Sequence, residues 1–232
     1  MKKLITTLLV SLVAVPAVFS FPVLQLYIDG ANYDAASETW VTTASSFDMY
    51  VIGNAVMNDV MVSMALDLDK AINPNGSVSV NVQGAKTGIT DYSSWTYGYA
   101  PLSFDPSSWD GGNDDLQTHD IFPAWFSEFN AGDFDLVGAI EDIQPPSTWN
   151  PTMGYLPAGN PHLGQIRKYS VSVTGGVGVH FDAFTLNSDG SIDKFVPFSH
   201  DAATSAVPEP ASMLLFGLGI AGAGIVRAIR KR

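Results

Sequence analysis

Short runs in which apolar and polar residues alternate, each closed by turn-forming residues, leave this chain little choice of secondary structure. Between Gly76 and Gly84, Val78, Val80 and Val82 alternate with Ser77, Ser79, Asn81 and Gln83. Val60, Val62, Met64, Leu66 and Leu68 repeat the period of two, as do Tyr169, Val171 and Val173, and then Val177, Val179 and Phe181. Side chains of a strand point alternately to opposite faces, so each run reads as a strand with one face buried. Thr174-Gly175-Gly176 predicts a hairpin between the last two runs. Asn187-Ser188-Asp189-Gly190-Ser191 predicts a turn into a strand over residues 192–198. Residues 23–28, 47–52 and 134–140 carry less regular strand patterns. No long stretch of helical period interrupts the body. The expected fold is all-β, an antiparallel β-sandwich of jelly-roll-like type spanning residues 21–206. Residues 100–120 and 144–164, rich in Pro, Gly and Asp, are expected to be long loops, and residues 200–206 a short linker.

The two ends follow different rules. Met1-Lys2-Lys3 is a basic start, residues 4–15 are apolar apart from Thr6, Thr7 and Ser11, and Pro16 closes the run. That order predicts a signal peptide helix over residues 1–20, with Val18 and Ser20 placed for cleavage before Phe21. Export then runs through the secretion machinery. At the other end, Val207-Pro208-Glu209-Pro210 precedes an uncharged apolar run that reaches Val226, followed by Arg227, Arg230, Lys231 and Arg232. Prolines suit a helix start. Residues 211–229 are long enough for a transmembrane helix, with the basic residues on the cytoplasmic side. Gly217, Gly219 and Gly222 match the spacing of a dinucleotide-binding loop, but no strand precedes them, so close helix packing in a bilayer is the better reading.

This C-terminal order of parts resembles the PEP-CTERM sorting signal, with Val207, Pro208, Glu209 and Pro210 as the motif and Arg227, Arg230, Lys231 and Arg232 as the basic tail. The resemblance implies an exosortase-type membrane protease as partner, transient anchoring in the inner membrane, and release to the outer surface or a biofilm matrix containing exopolysaccharide. The body resembles the choice-of-anchor N family at residues 24–30, 121–126, 179–182 and 197–202. That resemblance implies class and location and carries no activity.

Charge excludes one function class. The chain has 11 Lys and Arg against 23 Asp and Glu, for a formal net charge of −12. Outside the two ends the cations are Lys70, Lys86, Arg167, Lys168 and Lys194. Nucleic-acid binding needs a basic footprint that this body lacks. The sequence holds no cysteine, which removes disulfides and thiolate chemistry.

Four kinds of chemistry remain to be placed. Asp110, Asn113, Asp114 and Asp115, around Gly111-Gly112, gather oxygen ligands of the kind Ca²⁺ prefers, although the spacing is not that of an EF-hand. Asp29, Asp105 and Asp120 can join them. Three pairs place imidazole near carboxylate: His119 with Asp120, His180 with Asp182, and His200 with Asp201; His162 is the fourth histidine. Only His180 and Asp182 share a face of an extended strand, which suits metal ligation. Glu128, Asp133, Asp135, Glu141 and Asp142 offer carboxylates for glycoside hydrolysis, but no nucleophile-elbow or zincin motif accompanies them. Trp95, Tyr97 and Tyr99 are spaced to share a strand face on which a sugar ring can stack. The expected function is a non-enzymatic structural or adhesive envelope component without a resident cofactor. A carbohydrate-binding module, with Ca²⁺ as an aid, is the alternative, and a secreted hydrolase the third.

Overall fold

The computed structural model describes residues 23–86, 91–104, 121–140, 162–196 and 201–205. Within them the chain forms fourteen strands. In order they are β1 (Leu24–Ile28), β2 (Asn32–Asp34), β3 (Thr39–Thr42), β4 (Ser46–Gly53), β5 (Met57–Asp67), β6 (Ser79–Gln83) and β7 (Asp91–Tyr92). There follow β8 (Thr96–Gly98), β9 (Ala124–Phe134), β10 (Gly138–Ile140), β11 (His162–Thr174), β12 (Gly178–Leu186), β13 (Ile192–Phe195) and β14 (Asp201–Thr204). The helices expected at residues 1–20 and 211–229 lie outside the described residues. Among the described residues no helix is long and apolar enough to cross a membrane.

The strands form two sheets. The smaller runs β1-β4-β11-β6-β7, with β10 also on β11; the larger runs β2-β3-β14-β12-β5-β9-β8, with β13 also on β12. The period-two pattern explains the layer between them. Val80, Val82, Val171 and Val173 from the smaller sheet meet Val60, Val62, Met64, Val179 and Phe181 from the larger in one buried cluster. Removing each such side chain from water is worth roughly 1.5–3 kcal/mol. Aromatic edges lock the layer: Phe47 meets Phe181 with ring centroids 5.9 Å apart, and Phe129 meets Tyr169 at 5.5 Å. The Tyr169 hydroxyl, on β11, donates to the Ala131 carbonyl on β9, which ties the two sheets by a buried polar contact.

Several expectations need correction. Thr174-Gly175-Gly176 does not close a hairpin. β11 pairs with β4, β6 and β10, while β12 pairs with β5, β13 and β14. The turn therefore carries the chain from one sheet to the other, and valines on both sides face each other across the core instead of lying side by side. Gly175 has φ +95, and a Cβ there would come within 2.9 Å of Val78 Cγ2 and 3.0 Å of the Ser77 carbonyl oxygen, so the crossing needs glycine. Residues 201–204, expected in a linker, form β14, which pairs antiparallel with β12 and parallel with β3. The larger sheet is thus mixed, not purely antiparallel. The pattern read across residues 134–140 divides: Phe134 ends β9, and β10 holds only Gly138–Ile140. The end of the loop expected over residues 144–164 is the start of β11.

Candidate functional site

The larger sheet has a second buried face. On β12, Val179, Phe181 and Ala183 join the inter-sheet core. His180, Asp182 and Phe184 therefore point the other way. Pairing extends this outer face sideways. Asp182 stands opposite Ser63 on β5, and Ser63 opposite Glu128 on β9. His180 stands opposite Ala65 on one side and Ala203 on the other. Asp201, two residues before Ala203, shares its face and lies opposite Thr39 on β3. The result is a polar row crossing five strands: Glu128, Ser63, Asp182, Asp201 and Thr39. It is not wet. Ser63 is 0% exposed, Asp182 and Asp201 are each 1% exposed, and Thr39 is 3% exposed.

His180 sits one step along the strands from this row and touches both of its aspartates. Its Nε2 lies 3.6 Å from Asp182 Oδ1 and 3.5 Å from Asp201 Oδ2, and its ring is 18% exposed. Burial works against a charge on this imidazole. The two carboxylates, Asp182 more than Asp201, outweigh burial and push its pKa up to about 9. Ala65, His180, Ala203 and Val41 form the floor of a cleft of about 470 Å³, with Ile121 and Pro123 among its walls. One imidazole thus faces a cavity while two carboxylates hold it from behind. At the end of the row, Glu128 accepts a hydrogen bond of 2.8 Å from the Leu102 N–H. Burial lifts its pKa to about 7, against the lowering effect of that bond.

The other sequence candidates fall differently. Trp95 is 4% exposed and donates its indole N–H to the Val78 carbonyl at 3.0 Å, so it is a core residue. It also precedes β8, which holds only Thr96–Gly98, and the three aromatics do not share one strand. Tyr97 and Tyr99 are half-buried. Tyr97 packs edge-on against Trp125 and carries the Lys70 ammonium 4.8 Å above its ring; Tyr99 packs against Phe104. Asp133 joins Asp59 around Lys86, at 2.8 and 2.9 Å, on the exposed bulge between β5 and β9. Asp135 donates its backbone N–H to Gln165. Asp110, Asn113, Asp114, Asp115, Asp105, His119, Asp120, Glu141, Asp142 and His200 lie outside the described residues, as do the sorting motif and the basic tail. Asp29 follows β1, exposed at a turn.

Of the three imidazole–carboxylate pairs, His180 and Asp182 come together as their spacing requires. Asp201 completes the group through β14, a strand of four small and polar residues, Asp201-Ala202-Ala203-Thr204, with no apolar alternation in the sequence to mark it.

The segment that follows β14 is where a known family enters. Residues 206–231 match the PEP-CTERM protein-sorting motif. The chain carries that sorting signal. Val207, Pro208, Glu209 and Pro210 fall inside the match, as do Arg227, Arg230 and Lys231. The match supports export and processing by an exosortase-type protease. It does not extend to the body, and nothing in it bears on the choice-of-anchor N resemblance. No curated protein matches the chain.

Proposed function

We propose that the β-sandwich body is cargo for surface display: a non-enzymatic structural or adhesive component, placed on the cell surface or in an exopolysaccharide-containing matrix once its C-terminal tail is removed. The observation that carries this reading is the junction between body and tail. β14 ends at Thr204, and the Ser205 N–H donates to the Thr42 carbonyl at 3.0 Å. The sorting motif begins at the next residue, 206. Removing the tail there leaves every described strand in place. The sequence places a membrane helix and a cytoplasmic basic cluster after that junction, which suits transient anchoring in the inner membrane before release.

Intact-mass measurement on protein recovered from the outside of its own host tests the processing step. The expected mass lacks the apolar segment and Arg227, Arg230, Lys231 and Arg232. A mass that retains the basic tail in exported protein contradicts the reading. Fractionation with and without enzymatic removal of exopolysaccharide tests the destination: release of the body by polysaccharide digestion is expected, and indifference to it would separate the protein from that matrix.

A further inference from the structure

His180, Asp182 and Asp201 offer one imidazole nitrogen and two carboxylate oxygens that all lie within 4.8 Å of one another. The spacing is informative. Charge-assisted N–H···O bonds close to about 2.7–2.9 Å, yet the two His180 contacts are 3.6 and 3.5 Å. Among the described residues His180 Nε2 makes no hydrogen bond of ordinary length, only these two long carboxylate contacts. Ligands about 2.0–2.2 Å from a tetrahedral ion stand about 3.4 Å from each other. The separations therefore fit the edges of a coordination polyhedron better than a hydrogen-bonded triad.

A second observation points the same way. The Ser63 hydroxyl is fully buried and has no hydrogen-bond partner among the described residues. It stands directly opposite Asp182 on the same face of the sheet. An uncompensated hydroxyl in that position is costly, but it is where a donor is wanted to orient a ligating carboxylate. The cleft that reaches His180 gives an ion access to the group.

We propose that His180, Asp182 and Asp201 form a binding site for one divalent first-row transition ion of the zinc class, with Ser63 supporting the Asp182 carboxylate. The donor set selects this class. Ca²⁺ takes six to eight oxygen ligands, whereas a mixed imidazole and carboxylate set suits zinc and its neighbours. Two carboxylates buried to 1% exposure are offset by two positive charges. The site joins β14, the last described strand, to β12 beside it. Bound metal would fasten the end of the body immediately before the sorting motif, since metal binding of this kind contributes directly to folding free energy.

The test uses the full chain, produced in an exporting host, purified, stripped with a chelator and titrated with Zn²⁺ and with Co²⁺. About one ion per chain is expected, with the intense visible absorption of tetrahedral Co²⁺. Asp201→Asn, which keeps the side-chain shape, is expected to weaken Zn²⁺ binding by more than about 100-fold, and Ser63→Ala by about tenfold. Asp48→Asn, on the opposite sheet, is the control and leaves binding unchanged. Should His180→Ala fail to fold, the Asp201 and Ser63 variants still decide the matter. Failure of the wild-type chain to bind either ion overturns the proposal. So does binding that survives Asp201→Asn undiminished, because the ion is then held by other donors.

Discussion

Two rows of polar side chains cross the two outer faces of the sandwich, and they occupy different solvents. On the smaller sheet, Asp48, Ser170 and Gln83 stand opposite one another across β4, β11 and β6. Ser170 and Gln83 are exposed, and the row floors a shallow open groove. Asp48 accepts from Lys168 and from Ser170, each at 2.8 Å, and the Lys168 ammonium holds its carboxyl below the usual carboxylate range. On the larger sheet, Ser63, Asp182 and Asp201 hold the equivalent position with almost no exposure. The composition of the two rows is similar. The energetics are not, because water screens the first and is excluded from the second. A polar row that stays wet is cheap and says little about function. A row that is buried and mixes His with Asp is expensive unless its charges compensate one another or a ligand does so.

The buried row is most sensitive at Asp182. In metal-free protein, Asp182→Ala leaves His180 with one carboxylate in a buried setting and is expected to cost about 3–5 kcal/mol of unfolding free energy. A cost below about 1 kcal/mol would show that the row is as wet as its counterpart. Denaturant titration measures it.

Glu128 gives the next largest effect and a sign that depends on pH. Its carboxyl is raised from 4.5 to about 7 by burial. Between those values the folded state holds a proton that the unfolded state has released. Its contribution is therefore present below about pH 4.5 and is lost as pH rises through about 7. Glu128→Gln keeps an oxygen for the Leu102 N–H and removes the ionisation. It is expected to flatten the fall in stability across that window and to gain up to about 3 kcal/mol at pH 8. Unfolding curves at a series of pH values check it, and an unchanged slope would place Glu128 in solvent.

The exposed row should respond weakly. Asp48→Ala breaks an exposed ion pair and is expected to cost no more than about 1 kcal/mol, shrinking further in high salt. Ser170→Ala is expected to stay within about 0.5 kcal/mol of the parent protein. A loss of several kcal/mol at either position, seen in the same denaturant titrations, would erase the distinction between the two faces.

Legibility in the sequence follows the same physics. Strands with one wet face announce themselves: β6 alternates Val80 and Val82 with Ser79 and Asn81 and matches its reading closely. Strands buried on both faces do so only where small or polar residues fill the second face, as Ser63 and Ala65 do in β5 and His180 and Asp182 in β12. β9 carries Phe126 toward one buried cluster and Phe129 and Ala131 toward another, with Glu128 and Asn130 between, so no clean alternation marks it. β14 is four residues of small and polar side chains whose place is fixed by partners about twenty and one hundred and sixty positions earlier, a dependence invisible to any local pattern. Two of the three residues in the proposed metal group were legible because His180 and Asp182 need only the period of a strand to meet. Asp201 needed the tertiary pairing of β14. Glycines at residues 175 and 176 promised a turn, and there is one, but a turn's residues do not state whether it joins neighbours in one sheet or opposite layers. The aromatic spacing at 95, 97 and 99 misled for a related reason: Trp95 has a carbonyl to bond and a core to fill, and burial wins over display.

Cation placement adds to the contrast between the ends and the body. Each of the body's five cations has an acidic or aromatic neighbour: Lys70 over Tyr97, Lys86 between Asp59 and Asp133, Arg167 over Phe134, Lys168 on Asp48 and Lys194 on Asp193. The remaining Lys and Arg of the chain all lie in residues 1–20 and 207–232.

The most direct measurement is diffraction from crystals of the exported protein grown with Zn²⁺, recorded on both sides of the zinc absorption edge. The account predicts one strong anomalous peak on the outer face of the larger sheet, about 2.0–2.2 Å from His180 Nε2 and from an oxygen of each of Asp182 and Asp201. A map with no peak there, with the three side chains in hydrogen-bonded contact instead, would contradict it and leave the buried row a purely structural feature.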